Sequence, residues 1–195
     1  VAANTLMKLE KEHDNLFTNP AIEQKKTQLK RVRHYYFEAR TPQRKEKCRQ
    51  QDKVLREQLA ELLVQDHELQ PKTARMLAAW DPYDQNASAP FFDPEWMYGL
   101  SSGFSVVIGN PPYVQLAMYD WFDSAQRKYL LANYSSSMGR MNTFGFFIES
   151  GARLLATGGV LSYIVPKTII TQEYYHQLRK SILEHTQVSE IKKKE

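Results

Sequence analysis

Two short runs of apolar β-formers, FSVVIG at Phe104–Gly109 and VLSYIV at Val160–Val165, constrain this chain more than any other feature. Both are too short for a core helix and apolar at nearly every position, the pattern of strands covered on both faces in a parallel sheet. Between them, residues 124–132 and 142–156 carry helical spacing, and a helical crossover is what joins neighbouring parallel strands. Gly158-Gly159 is expected to end the second helix and Pro166 the second strand; residues 173–185 read as a helix and Gln187–Lys192 as a final strand. The expected fold class is α/β, with a largely parallel sheet. Three strands are fewer than the about five of a doubly wound sheet, so further strands are expected outside this chain.

The first part of the chain follows another period. Ile22, Leu29, Val32 and Tyr36 form one helical stripe, and Leu55, Leu59, Leu62 and Leu63 form a second. Asn19-Pro20 and Thr41-Pro42 each place a capping side chain before a proline at the first helical position, so two long helices should fold back as a hairpin. A shorter helix is expected over Lys72–Ala79. Residues 81–100, DPYDQNASAPFFDPEWMYGL, form a connector whose Phe91, Phe92, Trp96 and Tyr98 read as anchors laid on the sheet. The domains expected are therefore residues 1–80, a helical insertion or linker module, and 81–195, an α/β part.

Composition narrows the function. With 42% apolar and 25% charged residues, a disordered or fibrous chain is excluded. No apolar run approaches the roughly 18 residues of a membrane span, and VAANTLMKLE lacks the basic head and apolar stretch of a signal peptide, so the chain reads as an internal piece of a longer protein. A lone cysteine, Cys48, rules out an internal disulfide and fits a cytoplasmic location. Residues 1–80 hold 16 Lys/Arg against 11 Asp/Glu, while residues 81–195 hold 10 against 11. The positive excess lies in the helical part.

The residues that carry chemistry are Asn110, Pro111, Pro112 and Tyr113, directly after the strand VVIG. In open α/β sheets ligands bind beyond the carboxyl ends of the strands. Two prolines fix the backbone and donate no N–H, so the turn is an array of acceptors, to which Asn110 adds a side-chain carbonyl and Tyr113 a flat π surface. Such a set suits a planar amine whose lone pair is delocalised into a ring. Two acceptors gripping its hydrogens favour the pyramidal, more nucleophilic form, which could attack a methyl group activated by a sulfonium.

FxxVIGNPPY, here Phe104–Tyr113, resembles the signature of S-adenosylmethionine-dependent amino-methyltransferases. With WDPYDQ, FFDPEWMYGL and NTFGFFIESGARLLATGGVLSYIVP (Asn142–Pro166), the chain is most similar to adenine-specific DNA methyltransferases of the type IIG restriction-modification family, over roughly residues 80–190. That resemblance implies part of a Rossmann-like sheet preceded by the hairpin, with 81–195 as the catalytic half of an incomplete methyltransferase domain. It implies transfer of a methyl group from S-adenosyl-L-methionine to the N6 amine of adenine. Carried over position by position, it makes the Asn110 side-chain oxygen and the Pro111 main-chain oxygen acceptors for the amine, Tyr113 the stacking partner of a flipped base, and Pro112 the residue that shapes the turn. Asn110 is also the one cofactor-binding candidate, because the family's glycine-containing cofactor loop is not found before it. The implied partners are double-stranded DNA with a flipped adenine and the rest of the parent polypeptide, including the cofactor loop and a target-recognition domain; no membrane partner is implied.

Two other readings stay open at this point: the acceptor amine could belong to a protein glutamine or an RNA base, or the chain could be a non-catalytic helical interaction fragment. The five histidines show no ligand spacing, so no metal is expected. Glu190-Ile191-Lys192 has the Glu-x-Lys form of a nuclease centre but no acidic partner upstream, and reads as a solvated end. Lys25, Lys26, Arg31, Arg33, Arg44, Lys45, Lys47 and Arg49 could meet phosphates, although a charged helix face is the commoner explanation.

Overall fold

Prolines set where the helices begin. Pro20, Pro42, Pro71 and Pro94 each occupy a first helical position, where the missing N–H costs nothing. Asn19 Oδ1 accepts from the Ala21 N–H at 3.0 Å and Thr41 Oγ1 from the Arg44 N–H at 3.3 Å, so both expected caps are present. The structure, a computed structural model, describes residues 2–9, 19–84, 86–116, 122–137 and 142–192. The chain divides into two units, one of Val1–Asn4 with Lys8–Ser101 and the other of Thr5–Met7 with Ser102–Glu195.

The first unit is the hairpin with its connector. Strand β1 (Ala2–Ala3) precedes α1 (Pro20–Glu38), α2 (Pro42–Gln65), α3 (Pro71–Ala79), β2 (Ser88–Ala89) and α4 (Pro94–Tyr98), and β1 pairs in parallel with β2. Ile22, Leu29 and Val32 from α1 meet Leu55, Leu59 and Leu63 from α2 and Leu77 from α3 in one cluster. Ile22, Leu59 and Leu77 are fully buried, each contributing about 1.5–3 kcal/mol of transfer free energy. Phe91, Trp96 and Met97 belong to the same cluster. Of the four anchors expected on the sheet, Phe91 and Trp96 therefore seat among the helix residues with Phe92 packed against them, while Tyr98 is 42% exposed.

A charged group lies inside this core. Asp52, fully buried, accepts from Arg33 Nε at 2.9 Å, Arg56 Nε at 2.6 Å and the Tyr83 hydroxyl at 3.3 Å. Arg56 also donates to the Ala78 carbonyl, and Arg33 to the Trp96 carbonyl while lying 5.3 Å from the Trp80 ring centroid. A buried carboxylate is tolerable only when so paired. Arg33, counted in sequence among the surface cations, is thus an internal residue.

The second unit carries β3 (Phe104–Gly109), α5 (Ser124–Asn133), α6 (Thr143–Arg153), β4 (Leu155–Tyr163), α7 (Thr168–Thr171) and α8 (His176–His185), with 3-10 turns at Ser135–Ser137 and Glu173–Tyr175. Strands β3 and β4 are parallel neighbours in the register Val106↔Val160 to Gly109↔Tyr163, as the crossover pattern requires. Phe146 of α6 joins Leu6, Leu116, Leu130 and Tyr134 in one cluster, while Phe144 and Ile148 join Tyr175 and Leu178 in another. Strands and helices together make this a mixed α/β unit.

Three expectations are corrected. Helix α6 ends at Arg153, and Gly158-Gly159 lies inside β4. Phe104 pairs with Leu155 and Val106 with Val160, so two steps along β3 match five along β4 and the glycines form a bulge. Gly158 takes φ 78°, and a Cβ on Gly159 would come within 2.8 Å of the Phe104 carbonyl oxygen, which is why glycines stand there. Residues 187–192 form no strand; Glu190 and Lys192 pair with each other at the exposed end. The strands are not buried either: Ile108 is 79% exposed, Val106 61% and Val160 56%. One two-stranded ladder has more apolar face than the packing helices of this unit cover. No described helix is long and apolar enough to cross a membrane.

Candidate catalytic turn

Asn110-Pro111-Pro112-Tyr113 leaves the carboxyl end of β3, where Gly109 is the last residue of the ladder. The Ile164 N–H donates to the Gly109 carbonyl at 3.2 Å, extending the pairing by one residue past Tyr163. That bond fixes Ile164 beside the turn. The Tyr113 hydroxyl lies 2.9 Å from Asn110 Oδ1 and 2.8 Å from the Ile164 carbonyl oxygen, so residues from two adjacent strand ends converge on one phenol.

The other side of the turn is held by the start of α6. Asn142 caps that helix, and Thr143 Oγ1 donates to the Pro112 carbonyl while accepting from the Val114 N–H at 3.0 Å. The Thr143 N–H in turn donates to the Val114 carbonyl at 2.9 Å, and Gln115 bridges Asn142. Thr143 is 1% exposed. It is a positioning residue that the sequence reading missed, although Asn-Thr ahead of an apolar helical run is a recognisable capping signal.

The four expected site residues therefore differ in what they can offer. Pro112 is half-buried and its carbonyl is taken by Thr143. Pro111 is buried, and no described residue donates to its main-chain oxygen. Asn110 is exposed, and Tyr113 is 47% exposed with its ring edge-on to Phe144 at 6.3 Å. A phenol has one proton for its two acceptors, so the Tyr113 hydroxyl can donate to Ile164 alone when Asn110 Oδ1 is wanted by another donor. Exchange of this kind leaves no buried group unpaired.

Two cavities lie away from the turn. One of about 550 Å³ is lined by Ile148, Glu149, Leu161, Leu178 and Ser181, the other of about 520 Å³ by Leu29, Arg33 and Trp96, and none of residues 110–113 lines either. Asn110, the cofactor candidate of the sequence reading, is exposed at the turn. No group of three or more metal-ligating side chains occurs among the described residues.

Residues 6–194 match the Eco57I restriction-modification methylase family. The chain is 27% identical over 99 residues to a type II methyltransferase of Thermus thermophilus, M.TthHB8I, a match covering 44% of this chain and 23% of that protein. It is also 27% identical over 88 residues to the Escherichia coli type II restriction enzyme and methyltransferase RM.Eco57I, covering 45% of this chain and 9% of that one. The matched part thus spans less than a quarter of either relative.

Proposed function

The chain belongs to the Eco57I restriction-modification methylase family, and from that premise we propose that it is the amine-gripping part of a DNA methyltransferase acting on the N6 amine of adenine. The observation that supports this most is the pairing of an exposed Asn110 side chain with a Pro111 carbonyl that no described residue engages, at the end of a parallel strand. The amine's two hydrogens go to Asn110 Oδ1 and to the Pro111 oxygen. On arrival, the amine displaces the Tyr113 hydroxyl from Asn110, and the hydroxyl keeps Ile164. The half-exposed ring of Tyr113 stacks on the flipped base, contributing about 1–3 kcal/mol toward an unstacking cost of a few kcal/mol.

Neutral acceptors suffice because their task is to localise the lone pair on nitrogen and to stabilise positive charge as it develops there. S-adenosyl-L-methionine is the methyl donor this reading requires, with Asn110 the residue of the turn proposed to reach it. The partners it requires are duplex DNA and the remaining parts of a longer parent polypeptide, in which further strands complete a Rossmann-like sheet on β3 and β4. Domain roles follow: the catalytic half begins in the connector and the hairpin ahead of it is an inserted module.

The test is single-turnover methylation of an adenine-containing duplex by the intact parent protein. Asn110→Ala should slow transfer by about two orders of magnitude or more, the scale of losing one preorganised polar group, with cofactor affinity little changed. Tyr113→Phe should be tolerated and Tyr113→Ala should not. An unchanged Asn110→Ala rate refutes the mechanism, and preferential methylation of a protein glutamine or of RNA refutes the substrate.

A further inference from the structure

Charge within the hairpin is not spread evenly. From Arg31 to Lys53, across the end of α1, the turn and the start of α2, eight Lys/Arg stand against three Asp/Glu; from Val54 to Trp80 three stand against four. One of the three acids, Asp52, is buried between Arg33 and Arg56 and offsets nothing outside. Arg31, Arg40, Arg44, Lys47 and Lys53 are exposed and form no ion pair among the described residues, whereas Lys26, nearer the start of α1, pairs with both Glu23 and Glu95.

The arrangement does not serve the helices. The first turn of α2 has no acidic residue and carries Arg44, and the last turn of α1 has no basic residue and carries Glu38. Both placements oppose the helix dipole. Lys45 and Arg49 are held without carboxylates: Lys45 Nζ lies 5.4 Å from the Tyr36 ring centroid, and the Arg49 guanidinium lies 5.5 Å from Tyr36 and 5.8 Å from Tyr83 while donating to the Tyr36 hydroxyl at 3.0 Å. Cation–π contacts fix a cation without cancelling its charge for a partner. Phe37, 82% exposed, and Tyr35, 54% exposed, lie in the same stretch.

We propose that the turn end of the α1–α2 hairpin is a second DNA contact, in which Arg31, Arg40, Arg44, Lys47 and Lys53 meet backbone phosphates and Phe37 adds an apolar contact. Unneutralised cations interleaved with exposed aromatics suit a nucleic-acid backbone. The 12 residues from Pro42 to Lys53 extend about 18 Å along α2, a length over which a duplex presents roughly ten phosphate charges. The proposal rests on the reading of the chain as acting on DNA and adds where the duplex is held away from the base.

The experiment uses the intact parent protein with Arg40, Arg44 and Lys47 all changed to Gln, which keeps side-chain length and helix propensity. Binding to a duplex of G·C pairs alone, which offers no target adenine, is measured between about 50 and 200 mM salt. The slope of log affinity against log salt should become shallower by roughly 2 to 3, about 0.9 for each phosphate no longer neutralised, with affinity down tenfold or more at the lowest salt. Phe37→Ala should weaken binding without changing the slope. Single-turnover methylation at saturating DNA should be unchanged in the triple variant while the DNA concentration for half-maximal rate rises. A wild-type slope in the triple variant overturns the proposal, as does loss of binding to phosphatidylserine vesicles with duplex binding intact, which would make the surface a lipid contact. If the triple variant fails to fold, Arg44→Gln is read instead, with a slope change of about 0.9 expected and none overturning. A wild-type slope beside intact adenine methylation refutes only this surface; a sensitive slope in a protein that methylates no adenine refutes only the adenine reading.

Discussion

In the helical unit the buried residues run as a single cluster from α1 through α2 and α3 to α4, and the carboxylate inside it meets two guanidiniums and a phenol. In the strand unit the buried residues form two separate clusters that both draw on α6, while Val106, Ile108 and Val160 of the ladder stay more than half exposed. The difference follows from geometry. A helix has one stripe to hide, and two helices with a connector can hide each other's; a parallel ladder has two faces and two edges. The helical unit hides its stripes within itself while leaving Arg33 Nη2 and Trp96 Nε1 buried without a partner among the described residues, and the strand unit has apolar surface left over at the very element that ends in the candidate turn.

The largest way to break that comparison is Asp52→Ala. It strands Arg33 and Arg56 in the core and should cost the helical unit about 3–5 kcal/mol, seen as early hydrogen exchange in α1 and α2 with α6 protection unchanged. Equal loss in both units would show that they share one cooperative core. Smaller, and confined to the strand unit, is Gly151→Ala. A Cβ there would lie 2.6 Å from the Tyr163 hydroxyl and 2.9 Å from Leu161 Cδ1, so overpacking of about 1–3 kcal/mol is expected, read as a lower melting temperature with the α1–α2 exchange pattern retained.

Alkali should separate the units next. Burial pushes the Tyr134 phenol in the strand unit up to about 12 from an ordinary 10. A raised folded-state value contributes stability below pH 10 that is lost as pH climbs through about 12. Tyr83 in the helical unit is pushed higher, by burial first and then by the Asp52 charge. Both units should therefore lose stability alike as pH rises from 10 to about 12, the helical unit going on to lose more above it, and exchange protection that fails first in α5 and α6 would mean that these phenols do not set the alkaline limit. The smallest effect expected is Ile108→Thr, within about 0.5 kcal/mol by denaturant melting because the side chain is already in solvent. A larger loss would mean that the chain covers that face after all.

How much of this was legible depended on period and punctuation. Proline at the first helical position marked Pro20 and Pro42, and the stripes through Leu29 and Leu59 named the core, because helix stripes are local signals. The NPPY turn was visible because an apolar β run ends at Asn110. The Asp52 network was not, since a charge between Gln51 and Lys53 reads as solvated until Arg33 and Tyr83 are brought to it from elsewhere in the chain. Gly158-Gly159 misled for a related reason: a glycine pair after a helix serves equally as a stop or as a bulge, and only the Phe104 strand beside it decides. Ile164 and Thr143 escaped notice because their part in the turn is made through main-chain pairing and capping.

The bulge in β4 also governs where this part of the chain can change length. Two steps of β3 face five of β4 between Phe104–Val106 and Leu155–Val160, whereas from Val106↔Val160 to Gly109↔Tyr163 the strands advance together. A residue added at Ala156 or Thr157, ahead of the two required glycines, should be taken up in the slack and leave Ile164 where it is. The same change between Val160 and Tyr163 has no slack to enter: it carries every later carbonyl one place along and presents the opposite face of the strand to α6. A change of length in β4 should therefore be tolerated ahead of Gly158 and be felt beyond Val160 as a Tyr113 hydroxyl without its Ile164 acceptor.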